Sequence, residues 1–254
     1  MKTILITGAG SGMGSATAMQ LAQNSANHLV LIGRRADKLE EVRRQLAHAG
    51  QHVSLAVDIS DQHALRAAIA SISPEKRDIF ALFANAGIGG ENTYGAGDRW
   101  QEIIDTNLTG TYNSIMETLP YLKQSKQAFR HILITSSCLA RFGVPNYTAY
   151  CTSKTGLLGL TRALSVELAA SRILVNALCP GWVDTDMARA GIQLLADRAG
   201  EPFQAAFDTQ MGFVPLQRMS LPQEVAKLVE FLFSGAQTSM TGQGIDINNG
   251  SWMQ

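Results

Sequence analysis

Tyr150 and Lys154 stand four residues apart in Y-C-T-S-K, and Ser137 lies thirteen residues upstream of the tyrosine. Residues four apart share one face of a helix, so an ammonium can sit beside a phenol and favour its ionised form. A phenol held in that way is a proton-transfer group, an acid towards an oxygen gaining charge and a base towards a hydroxyl giving up its proton. Tyrosine–lysine pairs also occur on solvated helix faces. The pair therefore takes its meaning from the segments that position it.

Short, almost continuous apolar runs recur at 3–7, 28–32, 53–57, 79–84, 131–135, 173–178 and, more weakly, 244–247. Runs rich in Ile, Leu and Val with little polar alternation suit strands covered on both faces. Segments of helical period separate them, at 15–24, 37–49, 62–71, 99–123, 148–170 and 222–234. Alternating strand and helix predicts an α/β fold, a doubly wound parallel sheet of about seven strands with right-handed crossovers. No linker or composition break divides the 254 residues, so a single domain is expected. Residues 187–215 break the rhythm with scattered apolar groups, which suits a lid over a pocket and equally a pair of short helices packed on the body.

Composition narrows the partners. Lys plus Arg equals Asp plus Glu at 21 each, so no net field favours nucleic acid or an anionic membrane. The cysteines Cys138, Cys151 and Cys179 are too few for a disulfide framework and show no metal-ligand spacing, so no metal is expected. The first apolar run is too short for a signal-peptide core or a membrane span, and the cytoplasm is the expected compartment. His28, His52 and His131 stand at the entrances of apolar runs, where a solvated strand end accounts for them.

Directly after the first run comes T-G-A-G-S-G-M-G, carrying Gly8, Ser11, Gly12, Met13 and Gly14. Glycines there permit a tight turn and let backbone approach a pyrophosphate, while the helix that begins near Gly14 turns its free N–H groups towards the anion. The spacing departs from G-x-G-x-x-G because residue 13 is Met, although the strand-turn-helix context holds. The second run ends in Gly33, Arg34 and Arg35. An acid at this strand end would hold ribose hydroxyls, whereas a guanidinium offers a planar fork to a 2′-phosphate, so NADP(H) is favoured and NAD(H) remains possible. Asp58, followed by Ile59, can accept from the adenine amino group or cap the next helix, and Asn85, Ala86 and Gly87 let backbone pass close to the cofactor or simply turn.

With these pieces assembled, the chain resembles the short-chain dehydrogenase/reductase family over essentially its full length. The matching elements are T-G-A-G-S-G-M-G, Asp58, N-A-G at 85–87, Asn107 in D-T-N-L-T-G, Ser137, Y-C-T-S-K, Asn176 and P-G-W-V-D-T from Pro180. Ala84 and Arg172 depart from residues often found in the family, without touching the reacting groups. The resemblance implies a catalytic tetrad of Asn107, Ser137, Tyr150 and Lys154. Tyr150 is then the acid, its pKa drawn towards neutrality by Lys154 and by the oxidised nicotinamide. Ser137 holds the substrate oxygen, with Ser136 a poorer fit. Lys154 also binds ribose hydroxyls, and Asn107, by interrupting its helix, holds a water of a proton relay. The resemblance also places Pro180, Gly181, Val183 and Thr185 around the nicotinamide.

The expected function is an oxidoreductase interconverting a secondary alcohol and a ketone, with a 3-oxoacyl or other bulky ketone as substrate class. A non-catalytic NADP(H)-sensing protein on the same fold is the alternative. The resemblance further implies a homo-oligomer, tetramer or dimer, built through the two long helices and the last strand.

Overall fold

The computed structural model describes residues 2–253. Its strands are β1 (Lys2–Thr7), β2 (Asn27–Gly33), β3 (Val53–Ala56), β4 (Ile79–Ala84), β5 (Arg130–Thr135), β6 (Ile173–Pro180) and β7 (Gly244–Ile247). They form one parallel sheet in the order β3-β2-β1-β4-β5-β6-β7. Every residue of β4 and β6 is buried, which explains why these segments show no polar alternation: neither face meets water.

The helices divide between the two faces. On one side α3 (Gln62–Ala70), α5 (Gly110–Gln124) and α6 (Thr148–Leu168) pack Leu65, Ile115, Leu157 and Leu164 against Leu5, Ile32 and Ile134. On the other, α1 (Gly12–Leu21), α2 (Ala36–Gln45) and α9 (Pro222–Phe233) pack Leu21, Leu39 and Val229 against Ile4, Leu31 and Phe83. From β1 the chain winds outward to β2 and β3, then returns across the sheet to β4. That reversal leaves a crevice at the carboxyl ends of β1 and β4, where open α/β sheets bind their ligands.

Three expectations need correction. Residues 99–123 do not form one regular helix: α4 (Trp100–Ile104) gives way to a π-helical turn at Asp105–Thr109 before α5 begins. α1 starts at Gly12, ahead of the expected start near Gly14. The three histidines at the strand entrances are buried rather than solvated, at 0%, 2% and 5% exposure for His28, His52 and His131. His52 earns its place structurally, accepting at Nδ1 from the Leu29 amide and pairing at Nε2 with the Ala47 carbonyl. His131 packs edge-on to Phe80, and burial holds its pKa down to about 4, helped by the nearby charge of Lys2.

The 187–215 stretch folds into α7 (Asp186–Ala199) and α8 (Phe203–Gly212). These share a small core of their own, in which Ile192, Ala196, Ala206 and Met211 meet Trp182 and Met219.

Candidate active site

The glycine-rich turn follows β1 and is shaped by contacts that exclude side chains. Gly8 has φ +68°, and a Cβ there would stand 2.8 Å from the Ala86 Cα. A Cβ on Gly14 would overlap the Gly8 carbonyl oxygen. The first turn of α1 carries no acidic residue, and Ser11 makes no side-chain cap, so its leading amides are open to an anion. Met13 packs against the core behind the turn. Opposite, Gly12 lies under Thr185, whose Cγ2 would be 3.1 Å from a Cβ there. The first and sixth crossovers thus meet above the crevice.

Thr7 ties the neighbouring loop to β1. Its hydroxyl accepts from the amides of Asn85 and Ala86 at 2.9 and 3.0 Å, and Asn85 Nδ2 donates to its carbonyl at 3.2 Å. At the end of β2, Arg35 reaches back to the Ser11 hydroxyl at 3.4 Å, while Arg34 lies 3.8 Å from Asp58 with both side chains well exposed. Asp58 also accepts from the amide and hydroxyl of Ser60. Ile59 is buried against Gly110, and its carbonyl accepts from Asn113.

Ser137, Tyr150, Lys154 and Asn107 converge at the carboxyl ends of β4 and β5. Ser137 follows β5, and its hydroxyl accepts from the Leu139 amide at 3.1 Å, which fixes its rotamer. Ser136 is occupied elsewhere, donating to the Lys154 carbonyl at 2.8 Å. Lys154, only 4% exposed, donates from Nζ to the Thr135 carbonyl at 2.9 Å and sits 5.6 Å from the centre of the Tyr150 ring. Burial lowers its pKa to about 8.

The chain's own groups set the pKa of Tyr150 before any cofactor binds. Burial of the phenol raises it to about 12, with the Ser137 hydroxyl acting in the opposite sense. Lys154 directs one of its three protons at the Thr135 carbonyl, and burial makes the neutral phenol the favoured form.

Asn107 lies in the π-helical turn and is fully buried. Its Oδ1 accepts from the Ile88 amide at 2.8 Å and its Nδ2 donates to the Ile88 carbonyl at 2.9 Å. A Cβ on Gly87 would be 3.1 Å from Asn107 Oδ1 and 3.4 Å from Lys154 Nζ. Residue 87 therefore keeps a narrow space open between these two polar groups.

Beyond β6, Pro180 closes the strand and Gly181 donates to the Ile247 carbonyl while lying flat against Asn248. Val183 pairs with Ser220, and the Thr185 hydroxyl caps α7 by accepting from Ala188 at 3.3 Å. Across the crevice, Met187 Sδ would touch a Cβ on Gly89 at 3.0 Å. Glu91 pairs with Arg198 of α7, Nη1 to Oε1 2.6 Å, near Tyr147, whose ring stands perpendicular to that of Tyr150. Phe142 stacks on Trp252.

Sequence reasoning missed Thr7, Thr135 and Asn92. The first two act through a hydroxyl and a carbonyl within strands, and nothing about their spacing distinguishes them. Asn92 lies in a loop of ordinary turn composition.

Among the described residues no group of three or more His, Cys, Asp or Glu is placed to hold a metal ion, and no helix is long and apolar enough to cross a membrane. Burial raises the Cys138 thiol to about 11, which leaves it a packing group rather than a nucleophile.

The crevice fits a dinucleotide: backbone replaces side chains where a pyrophosphate must approach, and a lysine and a phenol face one another where the reacting ring would lie. Fold and site together define a dinucleotide-dependent oxidoreductase. A family model for short chain dehydrogenase matches residues 2–193, and the chain belongs to that family. The 3-oxoacyl-[acyl-carrier-protein] reductase FabG of Staphylococcus aureus (strain Mu50 / ATCC 700699) is 31% identical over 255 residues, covering 99% of this chain and 98% of that protein. The protein of the same name from Thermotoga maritima is 31% identical over 253 residues, with 98% and 97% covered. Among solved structures, a variant of actinorhodin polyketide ketoreductase with NADPH superposes with a TM-score of 0.91 at 29% identity, covering 98% of this chain and 97% of that one. A 3-oxoacyl-[acyl-carrier protein] reductase with bound NAD from Brucella melitensis gives 0.84 at 28% identity, with 100% and 92% covered.

Proposed function

We propose that the chain reduces a ketone to a secondary alcohol with NADPH, and that 3-oxoacyl thioesters are its substrate class. The observation that carries this reading is the buried Lys154 ammonium, anchored on Thr135 beside the Tyr150 ring. When bound, the dinucleotide supplies the transferred hydride and, once oxidised, a positive ring whose charge lowers the pKa of the neighbouring phenol.

Tyr150 gives its proton to the carbonyl oxygen as charge grows there. A phenol held near 12 is fully protonated at neutral pH, the state that reduction requires. Ser137 donates to the same oxygen and fixes its position. Lys154 binds the ribose hydroxyls, and its lowered pKa suits it to pass a proton towards Tyr150. Asn107, beside Lys154 across the space left by Gly87, holds the water that refills this path.

Gly8, Ser11, Gly12, Met13 and Gly14 form the pyrophosphate cradle. Arg34 and Arg35 take the 2′-phosphate, with Arg35 already directed towards Ser11, which supports NADP(H) over NAD(H). Asp58 and Ile59 flank the adenine, and Asn85, Ala86 and Gly87 border the adjoining ribose. Pro180, Gly181, Val183 and Thr185 border the nicotinamide. The FabG relatives are named for reduction of a 3-oxoacyl group; Met187 against Gly89, with Trp182 and Phe142 as further apolar groups on the substrate side, would suit an acyl chain.

The chain works as one domain, with 187–215 serving as a substrate lid. Its compartment is the cytoplasm, in keeping with three unpaired thiols. It assembles as a tetramer or dimer through α5, α6 and β7, a reading supported by exposed Tyr112 and Val166 on the two long helices. The non-catalytic alternative is not favoured, because both Tyr150 and Lys154 are retained.

Mixing the protein with NADPH and a panel of ketones that includes 3-oxoacyl thioesters tests the function. Cofactor oxidation with a thioester is the expected result. Tight NADPH binding with no oxidation across the panel is incompatible with the proposal.

A further inference from the structure

We infer that Asn92 is a positioning residue for the proton donor, capping the helix that carries Tyr150 from outside that helix. The inference rests on the assignment of Tyr150 as the acid.

Helix α6 begins at Thr148, two residues before Tyr150, and so has its free amides beside the reacting group. The residue at its own N-cap position, Tyr147, makes no side-chain cap. Asn92 supplies one instead. Its Oδ1 accepts from the Ala149 amide at 2.9 Å and from the Thr148 hydroxyl at 3.1 Å, and its backbone amide donates to the Asn146 carbonyl at 2.9 Å. Asn92 is itself held, because Nδ2 lies 3.3 Å from Asp98 Oδ1 and the side chain is 5% exposed.

The consequence is mechanical. Asn92 belongs to the loop that leaves β4 past Gly87 and Ile88, the latter clamped by Asn107. One loop therefore connects the π-helical turn, the mouth of the crevice and the first turn of α6. Released from Asn92, that first turn frays, and Tyr150 moves relative to Ser137 and Lys154. Misplacement of a reacting group by about 1 Å costs on the order of a hundredfold in rate. Cofactor binding, which draws mainly on the β1 and β2 ends, is left almost unchanged.

The test compares three variants with the full chain in a thioester reduction assay. Asn92→Ala is expected to lower kcat by roughly thirtyfold, with KM for NADPH within about threefold. Asn92→Asp combined with Asp98→Asn keeps the acceptor for Ala149 and leaves an amide oxygen at 98 for the Trp100 amide, so kcat should stay within about threefold of the parent. Asn92→Asp alone sets two carboxylates together and should lower Tm while leaving kcat within about threefold, which separates the cap from general stability and serves if Asn92→Ala does not fold.

An Asn92→Ala protein with the parent's kcat overturns the inference, as does a loss of more than about tenfold in Asn92→Asp or in the double variant. Tyr150→Phe is assayed alongside. If it keeps its rate, the acid assignment falls and this inference with it. If it is inactive while Asn92→Ala is unaffected, this inference alone falls.

Discussion

Lys154 donates its ammonium to the carbonyl of Thr135, at 2.9 Å, rather than to the phenol of Tyr150. The anchor is backbone at the end of a central strand, so the charge is fixed by the sheet itself and cannot swing to solvent. A cation fixed in this way acts on the crevice through its field and its remaining protons. Replacing Lys154 with Met, of similar length and no charge, should raise KM for the cofactor and lower kcat by about a hundredfold or more, measured in steady-state reduction.

Gly87 separates Asn107 from Lys154. A methyl group at this position would lie 3.1 Å from Asn107 Oδ1 and 3.4 Å from Lys154 Nζ, closing the space between them. Gly87→Ala is therefore expected to lower kcat by roughly tenfold with a small change in Tm, since its neighbours are polar ends rather than packed core. Unaltered turnover would show that the space has no part in the reaction.

Arg34 and Arg35 are the test of cofactor choice. Removing a charged hydrogen bond costs about 1.5–3 kcal/mol, so the double replacement with Ala should weaken NADPH by a hundredfold or so and leave NADH nearly unaffected. Competition between the two cofactors in a rate assay reads this directly. An equal loss for both would assign the arginines to general charge rather than to the 2′-phosphate.

Acid stability should follow His131. Its folded pKa is lowered to about 4 from an ordinary value of 6.5, so the unfolded chain binds more protons between these limits. The stabilisation is complete above pH 6.5 and is lost as pH falls towards 4, up to about 3 kcal/mol. Burial moves His28 and His52 the same way. Urea unfolding across this window should show the decline, and His131→Phe, which fits the Phe80 and Phe233 surroundings, should flatten part of it.

The proposed lid should depend on Glu91. Its carboxylate is largely buried and meets Arg198 at the last turn of α7, joining the loop after β4 to that helix. Glu91→Gln keeps the shape and removes the charge. It is expected to raise KM for the ketone several-fold while leaving KM for NADPH unchanged, because the proposed lid would cover the substrate side of the crevice.

Much of this architecture is written in the order of residues, and the reasons are physical. Strands such as β4 and β6 are buried on both faces, so their apolar runs are unbroken and their limits are plain. Tyr150 and Lys154 lie one helical turn apart, and their shared face follows from periodicity. Periodicity carries no trace of the π-helical turn at Asp105–Thr109, since its composition is that of any helix; the resemblance alone implied an interruption at Asn107, whose buried grip on Ile88 marks it. Burial of the histidines was hidden for a related reason: His52 is satisfied by Leu29 and Ala47, residues distant or unremarkable in sequence. The raised pKa of Tyr150 comes from burial of the phenol, which spacing alone does not specify.

The most direct test is the Tyr150→Phe variant, assayed for single-turnover reduction of a thioester while NADPH affinity is followed by fluorescence. The phenyl ring keeps the packing and loses the proton, so the rate should fall by at least about a hundredfold with affinity within about threefold of the parent. Reduction at the parent's rate would contradict the account, because the proton would then have to come from another group.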